Sequence, residues 1–214
     1  MTRDDDDIFP ALFLEAKDMP SQMTLYGDHR IGFSEPGDQA YNDHGGLKAG
    51  MTKWEGPRES TLRLLVDIRW LFPDADSASA YHLATLQAKS EGKPENQTAQ
   101  KIGDNCHVYS FPSGQEMAVA QGIFAQALGE GHQMARGIGR AIAGMPDDAF
   151  IYLFTKGPVA VKCFTVLGSS PTVVEARKSA VHVVAERIVS RIDGAFPNDA
   201  SNRPAAWWKK LFSI

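Results

Sequence analysis

The clearest pattern in the chain lies at 62–72, where Leu62, Leu64, Val66, Ile68, Trp70 and Phe72 alternate with Arg63, Leu65, Asp67, Arg69 and Leu71. A period of two belongs to a strand, whose successive side chains leave opposite faces. One face is therefore wholly apolar, which predicts a central antiparallel strand with that face against helices and the other partly wet. "PDADSASAYHLATLQAKSEG" follows, with proline and aspartates in front and glycine behind, the start and stop signals of a helix. Before this unit, "MTLYGDHRIGF" and "LKAGMTKWEG" are short segments rich in strand formers.

Further along, "AQKIGDNCHVYSF" reads as another strand, and "AFIYLFTKGPVAVKCFTVLG" as a hairpin in which Gly157 takes the positive φ of a type II′ turn ahead of Pro158. The last long element, "TVVEARKSAVHVVAERIVSRI", places Val174, Val181, Ala185, Ile188 and Ile192 on one stripe, the mark of an amphipathic helix. At the N-terminus the acidic run at 4–7 reads as a solvated extension. "DMP" ends the first element, since proline cannot continue a helical ladder. Together these elements predict an α+β fold: an antiparallel sheet with helices packed mainly on one face.

One segment does not fit this alternation. In "GQEMAVAQGIFAQALGEGHQMARGIGRAIAGMPDD" the apolar positions keep a helical period, yet Gly122, Gly129, Gly131, Gly137 and Gly139 fall inside it. An exposed glycine within a helix costs about 1 kcal/mol relative to alanine. The residues either form a helix broken near "GEGH" or give another backbone or a ligand close approach. The chain is thus expected to form a single α+β domain over 1–193 with a glycine-rich helical insertion at about 113–146. A proline-bearing linker and an aromatic-basic tail occupy 194–214.

Composition narrows the function classes. With 214 residues, 43% of them hydrophobic, the chain is long enough for a substantial core. A net charge of -4 supplies no broad positive field, and no local basic patch stands out, so no nucleic-acid partner is expected. The first residues lack the basic and apolar regions of a signal peptide, and no stretch approaches the roughly 18 apolar residues of a membrane span. Read as given, the sequence implies a cytoplasmic protein, or an exported one if a leader has been removed. Two cysteines, Cys106 and Cys163, make no disulfide scaffold, although a single bridge between them stays open.

Chemistry-bearing residues are scattered. In "GDNCHVYS" the strand period sends Cys106 and His107 to opposite faces, so they cannot act on one another, and both cysteines read as small core residues. There is no CxxC, HxxxH or HExxH, the phosphate-loop patterns fail at their later positions, and no nucleophile elbow occurs. No cofactor and no metal are expected. "YNDHGG" and "YGDHR" set Asp43 beside His44 and Asp28 beside His29. These pairs are the alternative: a small enzyme with an Asp/His site, with Asp43, His44 and His107 as catalytic candidates and Asp28, His29 and His44 as metal ligands. His132, Arg136 and Arg140 in the glycine-rich segment are candidates for contacting a ligand, a protein partner or a second copy of the chain. Trp207 and Trp208, with neighbouring lysines, suit a membrane surface or a docking contact, against the simpler reading that the tail folds back.

Taken in order, "LEAKDMPSQMTL", "RLLVDIRWLFPDADSASAYHLATLQ", "KIGDNC", "FTKGPVAVKCFTVLG" and "ARKSAVHVVAERI" resemble the sensor-like domains of bacterial lipoproteins and receptor-kinase ectodomains, largely of unknown function. The resemblance spans about 12–193 and omits the glycine-rich insertion. It implies a mixed α+β domain with helices on one face of an antiparallel sheet, and it transfers no catalytic set. A non-enzymatic binding or sensing module is the function expected; whether the chain is an enzyme stays open.

Overall fold

The computed structural model describes residues 8–20, 22–33, 39–88, 102–111, 149–168 and 174–196. Six strands form one sheet: β1 (Thr24–Phe33), β2 (Lys48–Glu55), β3 (Leu62–Leu71), β4 (Asn105–Phe111), β5 (Ala149–Lys156) and β6 (Val159–Leu167). Their spatial order is β1-β2-β3-β6-β5-β4, and every neighbouring pair is antiparallel. Helix α1 (Gln39–Asp43) joins β1 to β2, α2 (Ala75–Ala88) follows β3, and α3 (Val174–Ala195) follows β6. The α+β class and antiparallel sheet expected from the sequence are present. The glycine-rich insertion lies outside the described residues, as do the linker and tail from residue 197 onward.

The alternation in β3 works as read. Leu64, Val66, Ile68, Trp70 and Phe72 join the cluster that packs with Ala78 and Tyr81 of α2. The opposite face departs from expectation. Leu65, Asp67, Arg69 and Leu71 have no exposed surface where a partly wet face was predicted. Helix α3 closes it with Val181, Val184, Ala185, Ile188 and Ile192, together with Phe9, Leu12, Phe13 and Leu14 from the N-terminal segment. That segment is not an α-helix but two 3-10 turns, Pro10–Leu12 and Ala16–Asp18.

Charge survives on this dry face because it is paired. Arg69 donates through Nε to Asp67 at 3.0 Å and through Nη2 at 2.6 Å, and Nη1 bonds the Leu12 carbonyl. Its guanidinium also lies 4.8 Å from the Phe13 ring centroid. Gly50, opposite Arg69 on β2, leaves room for these rings; a Cβ there would stand 2.8 Å from Phe9 and 2.9 Å from Phe13.

A second clasp holds the N-terminal segment to α3. Arg191 donates to Asp18 at 2.8 Å and lies 2.8 Å from Glu15, while Arg187 bonds the Asp18 carbonyl. The Arg191 and Lys17 cations hold the Glu15 carboxyl down at about 2. Helix α3 runs through Asp193 and Gly194 to Ala195, slightly past the predicted linker boundary.

Two tests follow from these contacts. Arg69→Ala leaves a buried carboxylate unpaired and should cost about 3–5 kcal/mol in denaturant unfolding, whereas the double change Asp67→Leu with Arg69→Met should be neutral or stabilising. A lowered carboxylate pKa stabilises the fold above the unfolded value and loses that contribution as pH falls through the folded one. Thermal midpoints of Arg191→Gln should therefore lie below those of the native chain at neutral pH. The two should converge between about pH 4.5 and pH 2. Because Glu15 is exposed, salt should shrink the gap.

Candidate functional site

The polar residues that the fold gathers lie where α2 meets the edge strand β4. Asp74 starts α2 by accepting a 2.7 Å bond from the Ser77 amide, the usual work of an N-cap aspartate. Ala78 and Tyr81 then point into the core, and Ser79 and His82, one helical turn apart, face β4. The route into β4 depends on Gly103. Its φ of +63° suits glycine, and any Cβ there would meet the Thr155 carbonyl at 2.3 Å. Asp104 fixes the next step: its amide donates to the Thr155 carbonyl at 2.8 Å, and its carboxylate accepts from the Gly157 amide at 2.9 Å.

Asn105 and His107, two residues apart, therefore share the α2 face. Asn105 Nδ2 donates to Ser79 Oγ at 3.3 Å and to Thr155 Oγ1 at 3.2 Å. His82 Nε2 and His107 Nδ1 are 3.2 Å apart, with ring centroids 5.3 Å apart. His82 is buried at 4% exposure and His107 is half-buried. Hydroxyls, a carboxamide and two imidazoles thus form a hydrogen-bonded seam at the end of the largely apolar α2 face. Further in, Lys162 of β6 pairs in register with Leu153 and Ile68, both core residues of the α2 face, and is itself buried.

Cys106 goes to the other face, as the strand period required. It packs against the α3-side core, and burial pushes its thiol up from the usual value. Cys163 is fully buried and pushed up further for the same reason. Both are free thiols; two strand steps separate them, with Tyr152 of β5 beside both. Burial, with the two thiols adding, holds the Tyr152 hydroxyl up at about 12. Neither cysteine is prepared as a nucleophile, which needs a stabilised thiolate.

The other sequence candidates are spread apart. Asp28 and His29 lie on β1 and His107 on β4, opposite edges of the sheet. Five strand spacings make that roughly 24 Å. Asp28 is engaged by Arg30, whose Nε donates to it at 2.8 Å; the His29 side chain is outside the described set. Asp43 and His44 close α1. Asp43 accepts from Gln39, and the His44 amide bonds the Ala40 carbonyl just ahead of Gly45 at φ +70°. That is how a helix C-terminus is finished, with a glycine in the left-handed region. Among the described residues no group of three or more His, Cys, Asp or Glu side chains could hold a metal. His132, Arg136, Arg140, Trp207 and Trp208 lie outside the described residues. The partner of His107 is His82, a residue that is not among the sequence candidates. Its signal, a polar residue one turn after Ser79 on the side toward β4, becomes visible only once the strand pairing is known.

No family model matches the chain, and neither does any curated protein. Among solved structures it is similar to the extracellular domain of PknH from Mycobacterium tuberculosis, with 10% identity and a TM-score of 0.49, over 86% of this chain and 96% of that one. At this distance the likeness carries no residue role. No helix among the described residues is long and apolar enough to cross a membrane.

Thiol chemistry gives the check on this arrangement. Iodoacetamide near neutral pH should modify Cys106 more slowly than a free cysteine and leave Cys163 untouched, with both labelled after unfolding. Rapid labelling of either in the folded chain, read by mass spectrometry, contradicts the burial described.

Proposed function

We propose that this chain is a non-enzymatic binding or sensing module that contacts a ligand, a protein partner or a second copy of itself through its glycine-rich segment. The observation that carries the reading is the way the sheet brackets that segment. Strands β4 and β5 stay in register to their ends, with Phe111 paired to Ala149. Residues 112–148 therefore occupy the position of a hairpin loop, far longer than the two to five residues such a connection ordinarily needs. Long connections of that kind are commonly functional. Within it, Gly137 and Gly139 lie among Arg136, Arg140 and His132, a set suited to close backbone approach combined with charged or imidazole contacts.

The sheet supports this division of labour. Both faces of β3 are closed by helices, and the cysteines are held as thiols. Chemistry that combined Asp28 or His29 with His107 would have to join groups from opposite sheet edges. Recognition by a segment mounted on a stable frame makes no such demand.

Replacing both Gly137 and Gly139 with alanine tests the reading. Analytical ultracentrifugation of the full chain, and thermal shift against a panel of small anions and peptides, should show weakened self-association or weakened binding. A gain of about 1–2 kcal/mol in stability with association and binding unchanged would mean the glycines are idle helical positions, and would sink the proposal.

A further inference from the structure

The α2 side of the sheet is dry over a wider area than its described helices overlie. Helix α2 packs on β5 and β6, with Tyr81 against the Trp70 and Phe72 rings, and α1 reaches the same end through Tyr41 on Phe72. Leu64 and Val66 lie toward the other end of β3, about 14–20 Å from Trp70 along the strand. They share one apolar cluster with Val166 and Ala149, and all four are buried, Val66 with no exposed surface. Strand β3 runs one and a half strand spacings, about 7 Å, from the middle of the β5–β6 pair, outside the roughly 5–6 Å half-width of a helix. Something apolar besides α2 must cover this end of the face.

The sequence narrows what that is. Residues 1–7, 34–38, 89–101 and 169–173 read "MTRDDDD", "SEPGD", "KSEGKPENQTAQK" and "SSPTV", and have almost no apolar side chains to offer. The tail from 197 onward follows α3, which packs on the opposite face. Residues 112–148 leave the sheet at Phe111 and return at Ala149, and the same row continues through Val166 to Leu64. Leu64 and Val66 are thus only about 10–12 Å from the point of return. The segment also has the composition. Phe124, Leu128, Met134, Ile138 and Ile142 keep one helical stripe, while Gln126, Glu130, Gln133, Arg136 and Arg140 keep another. A break near Gly129 and Gly131 divides it into two halves, and a helix of that length spans roughly 25 Å, enough to go out over β3 and come back.

We infer that residues 113–146 dock on this face of their own sheet, with the apolar stripe on Leu64, Val66 and Val166 and the polar stripe, including Glu130, Arg136 and Arg140, left for contacts beyond the chain. The inference concerns where the segment rests, so it stands or falls separately from what the segment binds.

Photo-leucine incorporated into the full chain, activated and mapped by mass spectrometry, tests it directly. Leu64 should become joined to residues within 113–146. Bonds from Leu64 to the tail at 197–214 in their place, bonds only between copies carrying different isotope labels, or none into 113–146 overturn the inference. Leu128→Lys combined with Ile138→Lys supplies a second reading. Hydroxyl-radical footprinting should show labelling of Leu64 and Val66 rising several-fold while Leu12 and Phe13, covered on the α3 side, keep theirs. Unchanged labelling of Leu64 and Val66 in a folded double variant counts against docking. Should that variant lose the whole fold, the crosslinks in the native chain decide.

Discussion

The ion pair between Asp67 and Arg69 sets the terms for the rest of the fold. Removing both charges from water on the central strand is costly unless their remaining hydrogen-bonding capacity is met. The N-terminal segment meets it, with the Leu12 carbonyl on the guanidinium and Phe13 across its face. Sheet, N-terminal turns and α3 are thereby made interdependent. A chain that looks, from its pattern, like a sheet with one covered face becomes a three-layer arrangement whose second face is as dry as the first. Glycine at position 50 and the surface clasp from Arg191 to Asp18 and Glu15 are subsidiary to that demand: one makes space for the aromatic lid and the other keeps it seated.

Most of the sheet was legible in the sequence because strand alternation is a local property. The period in β3, the Gly-Pro turn at Gly157 with its positive φ of 52°, and the stripe of Val181, Ala185, Ile188 and Ile192 each follow from neighbouring residues. What was misread required knowledge of distant residues. Asp67 and Arg69 suggested water because charged side chains usually seek it, yet their spacing of two on one face also allows them to satisfy each other. The N-terminal segment, read only as a first element ended by "DMP", forms two short 3-10 turns packed into the core beneath α3.

The candidate site divides along the same line. That Cys106 and His107 serve different environments was readable from strand geometry; Cys163 is buried and Cys106 half-buried, both are free thiols, and burial makes each harder to ionise. That His107 meets His82 was not readable, because the two are joined only by the packing of a helix on a nonadjacent strand. The Asp-His pairs drew notice as chemistry, but in space Asp28 is engaged by Arg30 on β1, and Asp43 and His44 lie at the end of α1. Local sequence identified which residues were polar; topology decided which of them share a location.

The pairing of Phe111 with Ala149 has a consequence for how such a domain can diversify. Antiparallel partners bring their Cα atoms to within about 5.5 Å, so whatever lies between them needs only to start and finish at almost the same point. The entropic cost of closing such a connection rises only logarithmically with its length. A scaffold with this port can exchange one cargo segment for another of very different size while its strand order is preserved, and lineages sharing the frame would then differ most at that single splice.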